Sequence, residues 1–92
     1  MDFEWNPAKA RANVAKHGID FPAASRTFDD PRLLGEIDPR NYGQEMRFRA
    51  IGKVGDELIL VCYTMRGGVC RIISARKANR RERKAYSVSA RD

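Results

Sequence analysis

Between residues 76 and 84, six of nine positions are Lys or Arg: Arg76, Lys77, Arg80, Arg81, Arg83 and Lys84. The stretch opens as a strand end and closes as a helix start, with Asn79 and Glu82 at capping-box spacing. Cations at a helix N-terminus oppose its dipole by about 0.3–1 kcal/mol each. A bound phosphate reverses every one of those signs, because the free N–H groups and the dipole already favour an anion, and arginine adds bidentate geometry. The run therefore reads as a phosphate cradle built on Lys77, Arg80 and Arg81. Glu82 fits two readings, a capping-box residue or a group that moves a proton.

Other residues suit the same chemistry. His17, the single histidine, closes a helical pattern on which Lys9, Asn13 and Lys16 form a polar stripe while Ala10 and Val14 fall on the buried side. At a helix C-terminus the dipole favours the imidazolium, so His17 reads as a helix cap or as a proton donor or phosphate contact. In the run Glu45-Met46-Arg47-Phe48-Arg49-Ala50 the two arginines share one side. A two-residue turn at Gly67-Gly68 pairs Arg66 with Val69. Carried along both strands, that parity groups Tyr63 with Cys70, Ile72, Ser74 and Arg76, and groups Leu58, Leu60 and Cys62 with Ile73. If helices cover the second group together with Met46 and Phe48, then Arg47, Tyr63 and Arg76 converge on an open face. A histidine, a tyrosine and several cations suffice for attack of an RNA 2′-hydroxyl on its neighbouring phosphate, which needs a base, an acid and positive charge. A nucleic-acid-binding module without catalysis would use the same residues, and a protein-interaction subunit could offer the basic face to an acidic partner. One His and two Cys supply no zinc set, and neither a carboxylate cluster for Mg²⁺ nor a P-loop pattern stands out. No metal or cofactor is expected.

The elements that must hold these residues follow from local signals. Phe3 and Trp5 mark a short first strand. Asn6-Pro7 starts a helix over 8–17 that stops at Gly18, and Asp20 starts a second that ends near residue 27 or 28, with Phe21, Ala24 and Phe28 inward. The period then changes to two: strands are predicted at 33–38, 45–53, 57–65 and 69–75, with a loop at 39–43. The run ELILVCYTM is apolar on both sides and belongs inside the sheet with cover on both faces. The fold class is α+β: two N-terminal helices packed on a twisted, mainly antiparallel sheet of four to five strands, with a C-terminal helix.

Ninety-two residues make one domain, 1–92. Its net charge of +6 is uneven: residues 66–92 carry nine Lys/Arg against Glu82 and Asp92, whereas residues 1–65 carry nine bases and ten acids. A polyanionic partner is implied. Cys62 and Cys70 point to opposite faces in the Gly-Gly register, which predicts two free thiols and a reducing compartment. No segment is apolar enough to span a membrane, and MDFEWNPAKA lacks a leader's apolar core, so a cytoplasmic location is expected.

The motifs taken in order resemble the BrnT family of bacterial type II toxins. The likeness runs through Phe3, Trp5, Asn6, Pro7 and Lys9; Asn13, Lys16, His17, Gly18, Ile19, Phe21 and Ala24; Glu45, Arg47, Phe48, Ile51 and Gly52; Val61, Tyr63, Thr64 and Arg66; Arg71 to Ala78; and Glu82, Arg83 and Tyr86. It spans residues 2 to 86. The resemblance implies a RelE-like fold and a ribonuclease toxin that blocks translation by cutting RNA. A cognate BrnA-type antitoxin would neutralise it, with a dimer or heterotetramer in the complex. Carried over by residue, the expected catalytic set is His17, Arg47, Tyr63, Arg76 and Glu82, with Lys9, Lys16, Lys77, Arg80 and Arg81 contacting RNA.

Overall fold

The computed structural model describes residues 1–40, 43 and 45–91; the expected loop at 39–43 falls partly outside them. Strand β1 (Phe3–Glu4) leads into helix α1 (Pro7–His17). The Asn6 side chain accepts from the Ala8 and Lys9 N–H groups at 2.9 and 3.1 Å, and Pro7, with no N–H to leave unsatisfied, opens the helix. Gly18 ends it at φ 72°, donating its N–H to the Val14 carbonyl at 2.9 Å. Asp20 caps α2 (Phe21–Ser25) through the Ala23 N–H at 2.7 Å. The second helix is shorter than its apolar pattern suggests, because it tightens into a 3-10 turn at Arg26–Asp29. Strands β2 (Leu34–Ile37), β3 (Phe48–Val54), β4 (Glu57–Arg66) and β5 (Val69–Lys77) follow, then α3 (Arg80–Ser89).

The five strands form one sheet in the order β1-β5-β4-β3-β2, antiparallel except where β1 runs parallel to β5. Between β4 and β5, Gly67 and Gly68 have φ of 57° and 81°, the left-handed pair that a primed two-residue turn requires. On one face, α1, α2 and the 3-10 turn enclose Phe21, Ala24, Val61, Cys70, Ile72 and Ala75, all at most 1% exposed. On the other, α3 lays Tyr86 and Ala90 over Ile51, Leu60 and Cys62. Both faces of β4 are thus covered, as its apolar run predicts. The expectation of two free thiols on opposite faces also holds: Cys62 and Cys70 are free, buried and in different core clusters.

The register holds a departure that changes the site. From the turn, Arg66 pairs with Val69, Met65 with Cys70, Thr64 with Arg71 and Tyr63 with Ile72; then Cys62 pairs with Ser74. Ile73 is the extra residue of a β-bulge, and it shifts the phase of β5 by one. Everything beyond it changes face relative to the parity set at the turn. Ser74 and Arg76 therefore lie with Cys62 and Leu60 on the α3 face, while Tyr63 stays with Ile72 on the α1 face. The expected convergence of Tyr63 with Arg76 is corrected: the two face opposite ways. Phe48 pairs with Tyr63, so it joins that same face and not the one bearing Leu60.

A second correction concerns α1. Val14 is 47% exposed and Asn13 is buried at 6%. Strand β1 covers β5 only at Cys70 and Arg71, leaving the rest of that edge to be satisfied by something else. The Asn13 amide does so: Nδ2 donates to the Ala75 carbonyl at 2.8 Å and to the Ile19 carbonyl at 2.9 Å, and Oδ1 accepts from the Ala75 N–H at 3.1 Å. One side chain replaces a strand residue on both counts. That fixes α1 against the edge of β5 just past the bulge.

Candidate active site

Pairing across the sheet sets two adjacent rows on the α3 face. One holds Leu34, Ile51, Leu60 and Arg76; the next holds Glu36, Arg49, Cys62 and Ser74. The start of α3 overhangs the rows from one side and leaves a cleft of about 410 Å³. Its charged lining is Glu36, Arg49 and Arg76 from the strands with Arg81 and Glu82 from α3.

The helix start that seemed to need an anion holds one of its own. Arg76 grips Glu82 with both arms, Nη1 to Oε1 at 2.7 Å and Nη2 to Oε2 at 2.9 Å. Nη1 also donates to the Lys77 carbonyl at 3.2 Å. Glu82 in turn completes the capping box: Oε1 accepts from the Asn79 N–H at 2.8 Å, and the Glu82 N–H donates to Asn79 Oδ1 at 2.9 Å. The Arg76 hydrogen bonds hold the Glu82 carboxyl below the usual range against the opposing effect of burial; the Asn79 N–H and the charges of Arg76 and Arg49 add to this. Such a carboxylate is a firm anchor and a weak base. Across the cleft Arg49 Nη2 pairs with Glu36.

A second groove, about 210 Å³, runs beside β5 on its other side. Lys9, Lys16 and His17 of α1 line it with Ile73 and Ser74. Ser74 and Arg76 are two residues apart on one face of β5, roughly 7 Å along the strand. The lone histidine and the arginine thus flank one short piece of backbone. The polar stripe read from the sequence is a groove wall at Lys9, Lys16 and His17, and an internal brace at Asn13.

The remaining expected residues lie elsewhere. Tyr63 stacks on Phe48 at 5.6 Å and meets Phe28 edge-on at 5.1 Å; burial raises the phenol above its ordinary value. Arg47 precedes β3 by one residue, and its carbonyl accepts from the Asp38 N–H at 2.9 Å. It is four residues before Ile51 in the Arg76 row, roughly 13 Å of extended chain. Nearby, Glu45 binds Arg66 and Thr64 donates to the Met46 carbonyl, so this end of the sheet forms its own polar cluster. Lys77 pairs across the strands with Ile59 and reaches Glu57 at 3.6 Å, on the face away from Arg76. Arg80 is exposed at the first position of α3. Arg49 was missed as a site residue. Its signal was present, since it shares its parity with Arg47, but only the register shows which of the two reaches the cleft.

Residues 5–82 match the family model of the ribonuclease toxin BrnT of type II toxin-antitoxin systems. The chain belongs to that family. No curated protein matches it. Family membership makes this BrnT-type chain a ribonuclease toxin, with RNA as substrate and an antitoxin protein as partner. Among the described residues no helix is long and apolar enough to cross a membrane.

Proposed function

We propose that this BrnT-type toxin is a cytoplasmic, metal-independent endoribonuclease that arrests translation by cutting RNA, and that a BrnA-type antitoxin neutralises it in a complex that is a dimer or a heterotetramer. The observation that carries the reading is the pair of grooves on either side of β5, one lined by Lys9, Lys16 and His17 and the other by Arg49, Arg76 and Arg81 with Glu36 and Glu82. A strand of RNA laid across β5 at Ser74 meets cations on both sides. The 2′-oxygen attacks the adjacent phosphorus, the P–O5′ bond breaks, and the products end in a 2′,3′-cyclic phosphate and a 5′-hydroxyl. The 2′-proton leaves to a base and the departing oxygen takes one up from an acid; His17 is the side chain placed for one of these transfers, and solvent water makes the other. Arg76 meets the charge that builds on the phosphorane. Glu82 orients Arg76, because both of its oxygens are already hydrogen-bonded within the protein.

The test is expression of the chain alone in bacteria beside Arg76→Ala and His17→Ala, with growth and RNA integrity followed together and purified proteins assayed on RNA in excess EDTA. The expected result is arrest and EDTA-resistant cleavage by wild type, each variant losing about 10²-fold or more in rate. Unimpaired growth with well-folded wild type, and RNA bound but uncut, would leave a binding module instead.

A further inference from the structure

We propose that Arg49 is a second phosphate-contacting arginine of the α3-face cleft, and that Glu36 holds its guanidinium in place until an RNA phosphate displaces that carboxylate. The inference deepens the ribonuclease reading and rests on RNA being the ligand of this cleft.

The two arginines of the cleft are in different states. Arg76 is committed: Glu82 fills both arms of its fork and the Lys77 carbonyl takes a further bond. Glu82 cannot leave without breaking the helix cap it completes, and its side chain is only 13% exposed. Arg49 is held more loosely. Its pair with Glu36 uses Nη2, and its Nε is buried with no hydrogen-bond partner among the described residues. A guanidinium carries five donors in a rigid fork, and a buried donor left unmet is costly. Glu36 approaches from β2, the edge strand, with its side chain 52% exposed.

An exposed carboxylate on an edge strand can swing into water, and a surface ion pair resists such exchange weakly. An RNA phosphodiester entering the cleft offers two charged oxygens, as the carboxylate does, in the bidentate geometry that arginine prefers. The charges facing Arg49 are Glu36, Glu82 and Asp38, of which Glu82 is locked to Arg76. Once Glu36 departs, the cleft presents Arg49, Arg76 and Arg81 to the ligand, with Glu82 as the one carboxylate lining it among the described residues.

The experiment measures binding of a 2′-O-methyl RNA oligonucleotide, which lacks the attacking hydroxyl, to wild type, Arg49→Ala, Arg49→Lys and Glu36→Gln across a salt series, with cleavage of ordinary RNA alongside. Arg49→Ala should weaken binding at least tenfold and lower the salt slope by about one. Arg49→Lys should keep the slope while losing affinity. Glu36→Gln, which removes the competing charge, should bind several-fold tighter than wild type. Arg49→Ala binding within twofold of wild type at an unchanged slope overturns the inference. So does weakening by Glu36→Gln as large as that by Arg49→Ala, since the pair would then be a structural tie; if Arg49→Ala unfolds, the other two variants decide. Wild type that binds the oligonucleotide but leaves ordinary RNA uncut sinks the ribonuclease reading and still scores Arg49. Wild type that cuts, with Arg49→Ala cutting and binding equally well, sinks only the present inference, and a wild type that does not bind overturns both.

Discussion

The same three strands, β3 to β5, carry two unlike faces. Against α1, α2 and the 3-10 turn the sheet is closed and aromatic: Phe3, Phe28, Tyr63 and Phe48 touch in series, and Trp5 meets Phe21 edge-on. Gly52 lets the turn come down onto β3, since a Cβ there would stand 2.7 Å from Thr27 Cγ2 and 2.8 Å from its carbonyl oxygen. Against α3 the cover is one helix set to one side, with few apolar residues to contribute. Strand positions beyond its reach carry Arg49, Arg76 and Glu36, which must find partners among themselves and α3. What separates the faces is how far helical cover extends, and the charged chemistry begins where apolar packing ends.

Several substitutions would break or sharpen that contrast. The largest effect belongs to the closed face. Phe21→Ala, at a fully buried ring, should cost about 3–5 kcal/mol, read by urea unfolding; a loss under about 1 kcal/mol would show that face to be loosely packed. Gly52→Ala drives a methyl into backbone and side chain of the 3-10 turn and should cost about 1–3 kcal/mol, visible as a lower Tm. On the open face, Glu82→Gln removes the charge that Arg76 grips and should cost roughly 2 kcal/mol at neutral pH. The folded carboxyl lies below its ordinary value of 4.5, so its contribution is complete above that value and is lost as pH falls through the folded one. The stability gap between wild type and Glu82→Gln should therefore close on acidification below about pH 4.5, and a gap that persists would contradict the pairing. The smallest effect is expected from Tyr63→Phe, which keeps the ring contacts: under about 1 kcal/mol in stability and no change in cleavage rate. A large loss of cleavage there would return Tyr63 to the chemistry and break the division between faces.

Much of the frame was legible because its signals are local. Asn6-Pro7, Gly18, Asp20, Gly67-Gly68 and the Asn79–Glu82 box each mark an element end by their own stereochemistry, and each does so in the structure. The bulge was not legible, since nothing about Ile73 distinguishes it from its neighbours. Its placement depends on which backbone groups of β4 and β5 find each other over the whole hairpin. That single extra residue moved Arg76 away from Tyr63 and toward Glu82. Asn13 was misread for a similar reason: helical spacing placed it on a polar stripe, whereas an unfilled strand edge gave its amide an inward task. Of the expected site, Arg76, Glu82 and Arg81 come together in one cleft and His17, Lys9 and Lys16 in its neighbour, while Tyr63, Arg47 and Lys77 do not join them.

The Asn13 brace also decides how the sheet can grow. A strand edge invites another chain to add to it, and a protein with two open edges can be extended without limit. Here one margin is blunted: β1 offers two residues, and the strand behind it has its Ala75 groups taken by a side chain. The four residues of β2 form the other margin. A sheet open on one side only would accept a single added strand and then stop, so any pairing through β2 would close on itself.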